Sequence, residues 1–243
     1  MKIFQNIIPV IKLCDSLRYL SEFKKEIAKA RATGDLETER VYILKSTSTW
    51  GKHLVKSFDI ILNISGKEFL PETSPVVFVS NHQGYADIPV TCAVLDRFQF
   101  GYVAKSDLQK VPFYGKWIER IRSVFIKRDD SRASLRAIAE GIDLIEKGFS
   151  LLIFPEGTRS KGEPVAEFKK GSLRLATKPG VPVVPITLSG TYKVFEEYGY
   201  IRNGVTVDVV IHPVIETAGM DKTEAGDLTL KVEEIIKGGF LWQ

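Results

Sequence analysis

The apolar and polar positions divide the chain into an N-terminal part with helical periodicity and a longer part in which short apolar runs alternate with helical stripes. Between residue 4 and about residue 31, Ile7, Ile8, Ile11, Leu17, Leu20, Phe23 and Ile27 recur near helical spacing, with lysines and arginines between them. Thr33-Gly34-Asp35 is a break and a fresh start. From 36 to about 63, Val41, Leu44, Trp50, Leu54, Phe58, Ile61 and Leu62 form a second stripe. Two helices with a short link predict an antiparallel hairpin. Such a stripe serves equally to pack the hairpin on a domain body or to rest on a membrane.

After Gly66 the period changes. Residues 75–80, 98–104, 124–127, 151–154, 181–188 and 205–211 read as short strands. Helical stretches are predicted over 86–95, 111–120, 169–177 and 223–237, with another from an N-cap at Asp130 to a stop at Gly148. The continuous apolar run Leu151-Leu152-Ile153-Phe154 is of the kind buried on both faces of a sheet. Alternating strands and helices predict an α/β fold, a central mostly parallel or mixed sheet flanked by helices. The expected organisation is an N-terminal helical hairpin over 1–63 and an α/β domain over 64–243.

Composition narrows the function. The 243 residues are 44% hydrophobic and 26% charged, which supports a packed core. A net charge of +4 is too mild for nucleic acid and fits an anionic membrane surface or a phosphorylated substrate. Cys14 and Cys92 stand in unrelated contexts, and His53, His82 and His212 are far apart, so neither a disulfide framework nor a metal site is expected. Asn6, Pro9 and Lys12 interrupt the apolar start, so it reads poorly as a secretory leader. No run of about 18 apolar residues predicts a spanning helix. A cytoplasmic protein that can still touch a membrane is expected.

Three segments carry candidate chemistry. Asn81-His82-Gln83-Gly84-Tyr85-Ala86-Asp87 lies where a buried strand gives way to a helix, the place where open α/β sheets bind ligands. On one continuous helix His82 and Asp87 would be about 140° apart. The segment is therefore expected to turn at Gly84, bringing a carboxylate back to the imidazole as a general base with its orienting partner. Asp87 could instead simply cap the helix. Phe154-Pro155-Glu156-Gly157-Thr158-Arg159-Ser160 follows another buried strand; Gly157 allows close backbone approach and Arg159 offers a fork for phosphate. Val181-Pro182-Val183-Val184-Pro185 reads as a strand with edge or bulge positions. Lys105 is a further cation at a strand end.

In this order the segments resemble the phospholipid-synthesis acyltransferase family of lysophosphatidate and glycerol-3-phosphate acyltransferases. The family's Asn-His-x-x-x-x-Asp motif is matched at Asn81, His82 and Asp87, and its Phe-Pro-Glu-Gly-Thr-Arg-Ser motif in full at 154–160. A motif ending Phe-Ile-Asp-Arg is matched in part by Phe125-Ile126-Lys127-Arg128, a Val-Pro-x-Val-Pro motif at 181–185, and a lysine after the second strand by Lys105. Arg122 stands where the family usually has glycine, and Lys127 where it has an acid. Arg122 would either add to phosphate binding or face solvent.

The resemblance implies transfer of an acyl group from acyl-CoA or acyl carrier protein to a glycerol hydroxyl of lysophosphatidate, with glycerol 3-phosphate as the alternative acceptor and no cofactor or metal. His82 would be the base and Asp87 its partner. Lys105 and Arg159, with Arg128, would hold the acceptor phosphate in a loop formed by Glu156, Gly157 and Thr158, and Glu156 would shape that loop or meet a glycerol hydroxyl. Oxyanion donors are expected near Gly157 or in the 181–185 strand. No Gly-x-Ser-x-Gly elbow is present, and Cys92 has no evident base, so direct attack is the simpler scheme. A chain of ~16 carbons gains roughly 12 kcal/mol on leaving water, so the work belongs at a bilayer. Peripheral or monotopic association with the cytoplasmic face of the membrane is expected through residues 1–63, with Trp50, Phe58 and the Phe240-Leu241-Trp242 tail as candidate contacts. A non-catalytic lipid-binding protein and a thioesterase are the readings from other classes.

Overall fold

The computed structural model describes residues 7–127, 130–162 and 164–242. Three helices open the chain: α1 (Ile7–Ser16), α2 (Lys24–Thr33) and α3 (Leu36–Ser57), the last started by Asp35, whose side chain accepts the Thr38 N–H. The expected helix to residue 63 stops at Ser57. Asp59 takes a positive φ of 51°, and Ile61–Ser65 is strand β1. The expected first helix is likewise interrupted, with a 3₁₀ turn at Tyr19–Ser21 between α1 and α2. The boundary expected at 63/64 therefore falls inside a strand of the main sheet.

Then follow β2 (Val77–Ser80), α4 (Asp87–Val94), β3 (Phe100–Lys105), α5 (Tyr114–Arg120), β4 (Val124–Ile126), α6 (Ser131–Glu146), β5 (Ser150–Ile153), the short α7 (Arg174–Thr177), β6 (Val183–Ser189), β7 (Thr206–Ile211) and α8 (Lys222–Gly238). The strands form one seven-stranded sheet among the described residues, in the order β1-β7-β6-β2-β5-β3-β4. Every neighbouring pair is parallel except β6 and β7, so the sheet is mixed and mostly parallel. From β2 the chain crosses to β3 beyond β5, and from β5 it crosses back to β6 beyond β2. The carboxyl ends of β2 and β5 thus lie side by side where the two crossovers leave for opposite faces of the sheet, the kind of place where open α/β sheets bind ligands.

Side chains of the central strands alternate between two cores. Phe78 and Leu152 join Ile43, Trp50, Phe100 and Trp117 on one face. Val77, Val79, Leu151 and Ile153 join Leu228, Val232 and Ile236 of α8 on the other. Trp50 and Phe58, expected as membrane contacts, are buried, and Phe240 packs against the second core. Helix α3 lies directly on α4: a Cβ on Gly51 would come within 2.6 Å of the Cys92 Cβ, so only glycine permits this approach. The buried Glu39 of α3 accepts Arg122 Nε and Nη2, each at 2.8 Å, and Arg31 Nε at 2.7 Å. Arg122, at φ 63°, therefore serves neither a phosphate nor the solvent; it forks onto a carboxylate of the N-terminal part.

Helix α1 is different. Ile7, Ile8, Val10, Ile11 and Leu13 are exposed, while Pro9 and Ser16 face inward and Lys12 Nζ donates to the Ser57 carbonyl. No described helix is long and apolar enough to cross a membrane.

Candidate active site

The two motif loops are pinned to each other and to the sheet. At the end of β2 the buried Asn81 acts as an extra strand residue: its Nδ2 donates to the Leu188 carbonyl and its Oδ1 accepts the Leu188 N–H, both at 2.8 Å. Beyond it the chain runs beside the loop after β5. Ser160 N–H donates to the His82 carbonyl at 2.7 Å and Lys161 N–H to the Gln83 carbonyl at 3.1 Å. Glu156 adds a third tie, since one carboxylate oxygen accepts the His82 N–H and the other the Ala166 N–H. Burial pushes the Glu156 carboxyl up, partly offset by these two bonds. With both oxygens engaged by backbone, Glu156 shapes the loop.

The chain turns between Gly84 and Asp87, whose N–H donates to the Gly84 carbonyl at 3.3 Å, beside the turn expected at Gly84. Asp87 opens α4, but its side chain does not cap the helix. Instead Oδ2 accepts the Gly84 N–H at 3.0 Å and lies 2.6 Å from His82 Nδ1, with Asp87 fully buried. An anionic acceptor at Nδ1 holds the proton on that nitrogen and leaves Nε2 as the basic one. Nε2 has no protein partner among the described residues. The ring is also fixed from its face: Phe154 stacks on it at 4.2 Å between centroids and 19° between planes, and Tyr102 stacks behind Phe154 at 6.4 Å. Hydrogen bond and stack together leave the imidazole, 18% exposed, little freedom to turn.

Around this pair the loop after β5 presents Gly157 with φ 70°, an exposed Thr158 and a partly buried Arg159. The N–H groups of Thr158 and Arg159 meet no acceptor among the described residues, whereas Gly157 N–H is engaged by the Phe154 carbonyl. The other expected oxyanion donors lie in 181–185. Its strand residues pair along β2, Val77 with Val183 and Val79 with Pro185. Val181 and Val183 donate to the Ala176 and Ile215 carbonyls, and prolines have no N–H.

The expected cations differ in their surroundings. Arg159 lies 3.8 Å over the Tyr85 ring and donates through Nη1 to Glu196 at 2.9 Å. Lys105 ends β3 at the same edge of the sheet and is ion-paired with Asp107, both exposed. Arg128 lies outside the described residues. Lys169 crosses Gly157, since a Cβ there would meet its Cε at 2.8 Å. Cys92 is buried against the Tyr102 hydroxyl, and burial pushes its thiol up to about 12, so it is no nucleophile near neutral pH. Sequence reasoning missed Phe154, Lys169 and Glu196 as parts of the site. Phe154 lay within a recognised motif and the Lys169-Lys170 pair was visible, but nothing in the sequence pointed to Glu196.

The arrangement defines a class: an α/β protein with a histidine–carboxylate pair and an arginine-bearing loop at the carboxyl ends of two parallel strands. Comparison with known proteins agrees. A family model described as acyltransferase matches residues 61–189. A chloroplastic 1-acyl-sn-glycerol-3-phosphate acyltransferase of Arabidopsis thaliana is 38% identical over 66% of this chain and 45% of its own. A 1-acyl-sn-glycerol-3-phosphate acyltransferase of Borreliella burgdorferi is 30% identical over 72% of this chain and 70% of its own. The chain thus spans about half the length of the chloroplast relative. The crystal structure of the 1-acyl-sn-glycerophosphate (LPA) acyltransferase PlsC from Thermotoga maritima superposes with a TM-score of 0.74 at 28% identity, covering 98% of this chain and 96% of that one. This chain belongs to the acyltransferase family.

Proposed function

We propose that this protein transfers a fatty acyl group from an acyl thioester to the free sn-2 hydroxyl of lysophosphatidate, giving phosphatidate. The observation that carries the reading is the His82–Asp87 pair, oriented through Nδ1, with Nε2 unpartnered among the described residues. The names of the relatives support the acceptor, and a glycerol 3-phosphate acceptor is the variant of the same chemistry.

The scheme follows from the groups present. A glycerol hydroxyl is a weak nucleophile until a base takes its proton. His82 Nε2 accepts that proton as the oxygen attacks the thioester carbonyl, and Asp87 stabilises the imidazolium. The tetrahedral oxyanion falls to the unengaged N–H groups of Thr158 and Arg159, a loop held in register by Glu156. Collapse breaks the carbon–sulfur bond, and the thiolate leaves with the proton from His82. Arg159 grips the acceptor phosphate from its Tyr85 seat, with Lys105 as a further cation at the same edge and Arg128 as a candidate from the sequence. The thiol carrier is coenzyme A or acyl carrier protein. The exposed apolar face of α1 supports peripheral attachment, at the cytoplasmic face of the membrane.

The test offers the purified protein lysophosphatidate and glycerol 3-phosphate separately, each with acyl-CoA and with acyl carrier protein, and identifies products by mass spectrometry. Phosphatidate from lysophosphatidate is expected, and its absence with both donors sinks the reading. Retained transfer in His82→Ala would overturn the base assignment, and thioester loss without an acceptor would identify a thioesterase.

A further inference from the structure

Glu196 lies after β6, in the turn that follows the 3₁₀ segment Thr191–Val194, outside every motif of the family. Its side chain is only 4% exposed. Oε1 accepts two donors from different parts of the site: the backbone N–H of Tyr85 at 2.8 Å and Nη1 of Arg159 at 2.9 Å. The carboxyl group is seated against Gly84, where a methyl would meet its carbon at 2.8 Å. Oε2 is buried and reaches no donor. A buried carboxylate is costly to keep unless its partners are fixed, so this one joins the turn that carries Asp87 to the loop that carries Arg159.

The consequence for Arg159 is geometric. Its guanidinium is held on one side by the Glu196 carboxylate and beneath by the Tyr85 ring. Among the described residues its Nε and Nη2 make no hydrogen bond. That is the fork edge with which arginine grips a phosphate. A free arginine would have to freeze its rotamers on binding; this one is already frozen.

We propose that Glu196 is a positioning residue that fixes the Arg159 guanidinium for the phosphate of the acceptor, an inference that rests on the acyl-transfer reading above. The proposal has a distinctive sign. On charge alone, removing an anion beside a phosphate site should tighten phosphate binding. If Glu196 acts by holding Arg159, removing it loosens binding.

The experiment measures steady-state kinetics of full-length wild type, Glu196→Ala, Glu196→Gln, Arg159→Ala and the double variant Glu196→Ala/Arg159→Ala, with lysophosphatidate as acceptor and melting temperatures alongside. Glu196→Ala is expected to raise KM for lysophosphatidate about tenfold, as for loss of one charged hydrogen bond, with kcat nearly unchanged. Glu196→Gln, which keeps an acceptor of the same shape, should recover part of that loss and covers the case in which the alanine variant fails to fold. In the Arg159→Ala background the Glu196 substitution should add little, because its effect runs through the missing arginine. A KM that falls or stays level in both Glu196 variants, or an undiminished effect without Arg159, overturns the proposal while leaving wild-type transfer intact. Absence of transfer by wild type overturns the acyl-transfer reading and this inference with it.

Discussion

Asp87 Oδ2 takes both the His82 ring and the Gly84 amide, and asparagine could accept from both without the negative charge. Asp87→Asn should therefore leave the fold and the ring orientation in place while removing what stabilises the imidazolium. Turnover is expected to fall on the order of 10²–10⁴-fold, the usual share of general-base catalysis, with a melting temperature near that of wild type. Full turnover in this variant would show the charge to be dispensable. At this scale the sequence was legible where chemistry and spacing coincide. A histidine and an aspartate five residues apart, with glycine between them, demanded a turn, and the turn is there. Glu156 and Arg159 were legible as residues of a loop, but not their partners. The carboxylate that holds Arg159 comes from a segment 37 positions away along the chain. Contacts at that separation leave no local pattern.

The elements were legible wherever burial is two-sided. Strands β2, β5 and β6 are apolar runs because helices cover both faces, and they fall close to where the pattern put them. Strand β1 was not legible. It is an edge strand with half-buried Leu62 and Ile64 alternating with exposed neighbours, and its apolar residues continue the spacing of α3. Its pairing with β7, including Asn63 Nδ2 donating to Asp208 at 2.8 Å, lies about 145 positions away. The same non-locality hid the role of Arg122. Its pairing with Glu39 makes a prediction at the scale of elements, because it fastens α3 to the turn between α5 and β4. Arg122→Ala leaves Arg31 as the remaining partner of a buried carboxylate and should lower stability by about 2 kcal/mol in denaturant unfolding. KM for the acceptor should not change. A raised KM with unaltered stability would restore Arg122 to the phosphate site.

For the whole molecule, the pattern foresaw a helical N-terminal part but could not divide its labour. Helix α3 supplies Ile43, Trp50 and Leu54 to the core, while α1 leaves Ile7, Ile8, Val10, Ile11 and Leu13 uncovered. Both carry apolar residues at helical spacing, and only the packing tells them apart. Deleting residues 1–63 would therefore remove core and β1 together and could not isolate attachment. A narrower change can. Ile8→Glu with Ile11→Glu alters two side chains that are 66% and 62% exposed. Cosedimentation with vesicles containing anionic lipid is expected to fall sharply, with melting temperature preserved; unchanged cosedimentation would refute attachment through α1. The Glu39–Arg122 fork bears on how this molecule can be recombined. The family resemblance implies glycine where Arg122 stands, and glycine is at ease with the positive φ found there. A hybrid joining these N-terminal helices to a glycine-bearing body would strand Glu39 with half its counter-charge. The reverse hybrid, without an acid at position 39, would leave the Arg122 guanidinium without its fork partner. The pairing makes residues 39 and 122 a unit, so an exchange of the helical segment should carry residue 122 along with it.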